Sequence, residues 1–164
     1  MMGLPTETGE DIAELRARAL EVWEVARRRG ASVNVSVATF VPKPHTPFQW
    51  EPQLPRAEVT RRLDYLKDTM KRPGLRLKWS DPAQSELEAV FSRGDRRLAP
   101  VLLRAFDLGA RFDGWGDQLK ADAWRAAFGE TGLDPVFYAN RERGEDEVLP
   151  WDHLSSRVEK PHLL

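Results

Sequence analysis

Two stretches of the chain carry residues whose types and spacing suit chemistry. The first is Gly3-Leu4-Pro5-Thr6-Glu7-Thr8. A glycine at the C-terminal end of a strand lets a ligand approach the main chain, and a carboxylate four residues on can fix the turn by accepting backbone N–H bonds. Such a turn serves structure more often than function. The second stretch is 32–50, SVNVSVATFVPKPHTPFQW, in which Val33, Val35 and Val37 alternate with Asn34, Ser36 and Ala38. That period of two predicts a strand with one oily face and one small or polar face. Pro42, Pro44 and Pro47 cannot donate ladder hydrogen bonds, so the chain leaves the sheet as a stiff loop bearing Lys43, His45, Thr46, Phe48 and Trp50. A polar-faced strand running into such a loop is how α/β barrels build their binding mouths. An edge strand facing water has the same pattern.

Several further elements are expected around these stretches. Thr8 and Asp11 fit a capping box opening a helix, with Ile12, Leu15, Ala19, Val22 and Ala26 in helical rhythm up to Gly30. Strand end, helix and strand make up most of one βαβ unit, and the missing strand before Gly3 suggests the C-terminal part of a longer protein. A flexible start before an N-terminal helix is the plainer alternative. Leu54 to Lys71 reads as a second helix with Val59, Leu63, Leu66 and Met70 on one face, followed by a short strand in which Leu75, Leu77 and Trp79 alternate with Arg76 and Lys78. A third helix carries Leu87, Val90 and Phe91 inward until Gly94. Asp95 caps the next, where Pro100 implies either a start near Ala99 or a distorted first turn. Gln118 to Phe128 is the last clear helix. Beyond it, Arg141 to Glu147 reads as a solvated loop, and Leu149 and Trp151 as residues docking back on the body.

Composition excludes several classes. The 164 residues suffice for one domain but fall short of the about 250 typical of a complete barrel enzyme. A balance of 25 basic against 26 acidic residues gives no global pull toward nucleic acid or membrane surface. No apolar run approaches the about 18 residues of a membrane span, and a cytoplasmic location is the default expectation. With no cysteine, the chain by itself has neither disulfides nor thiolate ligands for an iron–sulfur cluster.

Taken together, GLPTETGED (Gly3 to Asp11), the helix after it and VNVSVATFVPKPHTPFQW resemble the end of the fifth strand, the fifth helix and the sixth strand of radical S-adenosylmethionine (SAM) enzymes. That superfamily's fifth strand ends in a G-x-I-x-G-x-x-E pattern. Gly3 and Glu7 match its last glycine and glutamate, and Met1 stands where the isoleucine would be. FVPKPHTPFQW, SELEAVFSRGDRRL (Ser85 to Leu98), GARFDGW (Gly109 to Trp115) and LPWDHL (Leu149 to Leu154) are similar to the uncharacterised radical SAM proteins that carry an N-terminal cobalamin-binding-type domain. The resemblance implies an α/β fold, the C-terminal fragment of an open (β/α)6 barrel followed by a mostly helical extension. It divides the chain into barrel (1–50), helical extension with one short strand (51–132), and charged loop with C-terminal tail (133–164).

By the same resemblance, the parent's cofactors are SAM and a 4Fe–4S cluster. Its C-x3-C-x2-C ligands lie upstream of this chain, which alone is expected to be inactive and unable to hold the cluster. The chain then supplies one wall of the SAM and substrate cavity. Gly3, Leu4, Pro5, Glu7, Asn34, Ser36 and Ala38 are its expected cofactor-binding residues, and Lys43, His45, Phe48 and Trp50 form a substrate-side loop. Its partner is the remainder of the barrel.

Other signals carry less. His45, His153 and His162 are too scattered for a metal site. Arg93-Gly94-Asp95 reads as a helix stop followed by a helix cap. Arg97, Arg104 and Arg111 recur every seven residues, with Arg93 and Arg96 nearby. Beside Trp115 or Trp124 they suggest an alternative, a non-catalytic module binding RNA or a protein through a basic helix face.

Overall fold

The computed structural model describes residues 1–164. In chain order it contains α1 (Gly9–Arg27), β1 (Val33–Val37), α2 (Arg56–Thr69), β2 (Leu75–Trp79), α3 (Pro82–Arg93), a 3-10 turn (Arg96–Leu98), α4 (Ala99–Asp107), α5 (Ala121–Thr131), α6 (Pro135–Ala139) and a last 3-10 turn (Lys160–His162). The class is α/β, with a small parallel sheet among mostly helical elements. Two compact units emerge, one of Met1–Phe40 with Leu54–Pro82, the other of Val41–Gln53 with Ala83–Leu164. These cut the chain differently from the expected segments: α2 and β2 join β1, while the proline loop groups with the later helices.

The first unit is a βαβ pattern completed by α2 and β2. The capping box forms as expected, with Thr8 Oγ1 accepting from Asp11 N–H and the Asp11 carboxylate accepting from Thr8 N–H at 2.7 Å. β1 and β2 pair in parallel, Val33 opposite Leu75 through Val37 opposite Trp79. Val33, Val35 and Val37 pack with Ile12 and Ala19 of α1 and with Val59, Leu63 and Leu66 of α2, so both crossover helices cover the same face of the sheet. α1 departs from its expected apolar face toward its end. Val22 is exposed, and Trp23 turns to the core instead, its Nε1–H donating to Pro73 O at 2.9 Å.

The second unit packs α3, α4, α5 and α6 around Ala89, Val90, Val101, Ala105, Phe128 and Tyr138. Pro100 is accommodated by dividing the labour: Asp95 caps the 3-10 turn by accepting from Arg97 N–H at 2.9 Å, and α4 then starts at Ala99 with the proline in its first turn. Gly94 is fixed by space, because a Cβ there would lie 2.1 Å from Leu98 Cδ1 and 2.7 Å from Val90 O. α6 is too short to show a period; Asp134 caps it by accepting from Val136 N–H at 2.9 Å.

The charged run is solvated at Glu142 and from Gly144 to Asp146, as its composition suggests, but it is also anchored. Arg141 grips Glu147 through two hydrogen bonds of 2.7 and 2.6 Å, and Arg143 is buried, donating from Nη2 to Arg93 O at 2.6 Å. Arg93 is wholly buried and donates to Ala139 O and Arg141 O, each at 2.7 Å. Its pKa is lowered to about 10 by burial and by Arg143 and Arg141 beside it. Leu149 and Trp151 dock as expected, closing a cluster with Trp50.

Candidate functional site

In the first unit, the turn after Met2 is built around Gly3 and Glu7. Gly3 has φ +90°, where an L side chain is strained, and a Cβ on it would stand 3.2 Å from Leu54 Cβ. Glu7 fixes the turn as its spacing suggests, with Oε1 accepting the Gly3 N–H at 2.8 Å. The same oxygen pairs with Arg62 of α2, both side chains being close to nine-tenths buried. Arg62 also donates from Nε to Glu58 Oε1 at 2.9 Å, and Arg61 and Arg62 together hold the Glu58 carboxyl down at about 2. Nothing in the local sequence could have named Arg62, which lies 55 residues from Glu7. Leu4 and Pro5 are exposed on the turn.

The sheet presents the opposite face to its helices. Asn34, Ser36 and Ala38 are exposed, as the alternation requires, and Arg76 and Lys78 stand directly across from Asn34 and Ser36 on the same side. Main-chain groups alternate as well. Val33 N–H donates to Gly74 O and Val37 O accepts from Ser80 N–H, so odd-numbered residues of β1 bond toward β2. Ala38 O and Phe40 N–H bond to Met2 N–H and Met2 O, each at 2.8 Å, so even-numbered residues bond toward the other edge, in a parallel sense. On that edge no strand of this chain pairs with Asn34 or Ser36. A parallel sheet normally has both faces and its inner edges covered, and here one face and this edge are open.

In the second unit, the four residues expected on the substrate-side loop part company. Lys43 is tied to α3, its Nζ donating to Glu88 Oε1 at 2.5 Å and Ser92 Oγ at 3.0 Å. Trp50 is buried among Leu149, Trp151 and Leu163, so it anchors the loop and does not reach out from it. Phe48 is exposed. His45, at φ +56°, is half-buried and lines a cavity of about 330 Å³ together with Gln49 and the segment 152–163. Gln49 carries no pattern signal in the sequence, yet its Oε1 accepts from His45 N–H at 3.0 Å and from Trp151 Nε1–H at 2.8 Å.

Of the residues of the arginine stripe, Arg96 is exposed without an ion pair and the others are each engaged. Arg93 is inside the core, Arg97 is bound to Asp95, Arg104 to Glu130, and Arg111 lies 3.3 Å from the Phe106 ring centroid while donating to Phe106 O. Trp124 is half-buried edge-on to Phe91, and Trp115 alone of the pair is exposed. No helix is long and apolar enough to cross a membrane.

No family model matches this sequence, and no solved structure matches it. An uncharacterised protein of Methanocaldococcus jannaschii is 29% identical over 102 residues, which make up 62% of this chain and 22% of that protein. A protein of Herpetosiphon aurantiacus, named as one of the subunits of an NADH-quinone oxidoreductase, is 33% identical over 85 residues, 51% of this chain and 42% of that protein. The chain thus spans less than half the length of each of these curated relatives, and its likeness to both is confined to a stretch they carry within longer sequences.

Proposed function

We propose that the first unit is one wall of a radical SAM barrel, the cluster-binding part of the enzyme lying outside this chain. The observation that carries this reading is that α1 and α2 cover the same face of a parallel sheet while the other face stays open. A two-sided α/β sheet alternates its helices between faces; a barrel keeps them all outside and reserves the inner face for side chains and ligand. Asn34, Ser36 and Ala38 on that inner face are small enough to leave room for a nucleoside; Gly3 itself is buried with its N–H taken by Glu7, so the turn meets a ligand through the exposed Leu4 and Pro5 beside it. Glu7 shapes the turn from behind, since its Oε1 serves Gly3 and Arg62. The open edge of β1 suits a further parallel strand continuous with Met2, which the remainder of the barrel would supply. When bound in such an enzyme, the cluster delivers an electron to SAM; this chain has no thiolate to hold it.

The test is a titration of the 164-residue chain with SAM, followed by amide resonances. Saturable shifts at Gly3, Leu4, Asn34, Ser36 and Ala38, lost in Ser36→Phe, are the expected result. Shifts that avoid all five residues would overturn the wall assignment. Cluster absorbance and 5′-deoxyadenosine from this chain alone after anaerobic reconstitution would overturn the placement of the chemistry elsewhere. The alternative, RNA or protein binding through a basic helix face, has Arg96 exposed and unpaired in its favour, while Arg93, Arg97, Arg104 and Arg111 are each engaged by a carboxylate or carbonyl.

A further inference from the structure

The cavity of the second unit has the makings of a ligand site in its own right, independent of the barrel reading. At about 330 Å³ it falls at the lower end of the range for small-molecule sites. Gln49 is the informative residue on its wall, being only 3% exposed. Its Oε1 already accepts two hydrogen bonds, one from a backbone N–H and one from an indole N–H, both obligate donors. That assigns the amide orientation without ambiguity. Its Nε2 carries two N–H groups and makes no hydrogen bond within the protein, while Gln49 lies on the cavity wall. A donor held in place from behind and unpaired in front is a preorganised hook for an acceptor.

The lining carries one ammonium against two carboxylates, so the choice of ligand rests on its fixed donors and not on net charge. Lys160, which lines the cavity, makes no ion pair; its ammonium lies 5.9 Å from the Trp50 ring centroid. The rings of His45 and His153 add further donors. Of the two carboxylates on the wall, Asp152 already accepts from Leu149 N–H at 2.8 Å, and Glu159 is exposed to water that screens it. We infer that this cavity binds a small oxyanion, a carboxylate or a phosphate group, with Gln49 Nε2 as its fixed donor and Lys160 as its counter-charge.

The experiment is an NMR titration of the 164-residue chain with succinate, inorganic phosphate and uncharged glycerol at constant ionic strength. The expected result is saturable movement of the Gln49 side-chain NH2 pair and of backbone amides in 45–49 and 152–160 with at least one anion, and none with glycerol. Which anion saturates distinguishes a carboxylate ligand from a phosphate one. Gln49→Glu keeps the acceptor for His45 and Trp151 but replaces the donor by a second anionic oxygen, and should weaken binding by about tenfold or more. Lys160→Met, at a half-exposed position, should weaken it by about threefold to tenfold. Non-saturating shifts with both anions, equal response to glycerol, or unchanged affinity in folded Gln49→Glu would each overturn the inference. Should Gln49→Glu fail to fold, unchanged affinity in Lys160→Met would do so.

Discussion

The two units are held together by different chemistry. In the first, apolar side chains at helical and strand periods form the interior, and the one well-buried ion pair, Glu7 with Arg62, ties a turn to a helix. In the second, Arg93 and Arg143 sit among the buried residues and direct their guanidinium groups to backbone carbonyls far along the chain, at the ends of α6 and α3 and at Arg141. A guanidinium is the side chain best able to do this, since its fixed fork can satisfy two carbonyls at once. The lesson is that a short helix such as α6 and an irregular segment such as 140–150 can be held in place by a polar staple where no hydrophobic period exists to hold them.

The sharpest contrast between the units should come from Arg93→Ala, which leaves Ala139 O and Arg141 O without donors and a cavity behind. It should cost about 3–5 kcal/mol, read as a loss of hydrogen-exchange protection in α3 to α6 with β1 and β2 little changed. Leu66→Ala is the mirror case. It should remove about 3 kcal/mol from the first unit by emptying a fully buried site, with α4 and α5 retaining their protection. Equal loss in both units from either variant would erase the distinction.

Smaller effects sharpen it. Gly3→Ala forces a side chain to φ +90° against Leu54 and should cost about 1–2 kcal/mol by chemical denaturation. Acid should act on the Glu58 pair with a defined sign. Its folded-state carboxyl is depressed to about 2 from 4.5, so its contribution is full above pH 4.5 and is lost as pH falls toward 2. Glu58→Gln should therefore flatten the acid limb of the first unit's stability between those values. At neutral pH the variant should lose no more than about 1 kcal/mol, the pair being partly open to water.

The period is a good guide along α2 and β1 and a poorer one along α1 and β2, where Val22 and Trp79 are exposed. Val59, Leu63, Leu66 and Met70 are all buried along α2, and Val33, Val35 and Val37 all face the helices. The Glu7 carboxylate was legible as the brace of the Gly3 turn because both lie within one turn of chain. The parallel pairing of β1 with β2 was not, since a short alternating segment gives its existence but not its partner or register. Arg97, Arg104 and Arg111 recur every seven residues but do not share one helix, because a 3-10 turn and the end of α4 intervene. Arg93 and Gln49 were invisible because their roles depend on carbonyls and donors more than forty residues away in the chain, apart from the local His45 bond. The proposal of a barrel, and of its cofactor, rests on motif likeness and on a sheet covered on one face.

The unpaired rim of β1 has a practical consequence for anyone handling this chain. Free N–H and C=O groups at Asn34 and Ser36, beside three valines, form a template on which a second molecule can lay a strand. Arg76 and Lys78 on the neighbouring strand oppose this by mutual repulsion, which salt weakens. Concentrated, high-salt stocks should therefore self-associate more readily than dilute, low-salt ones, and a proline at Ser36 should keep the protein dispersed by removing a donor from that rim.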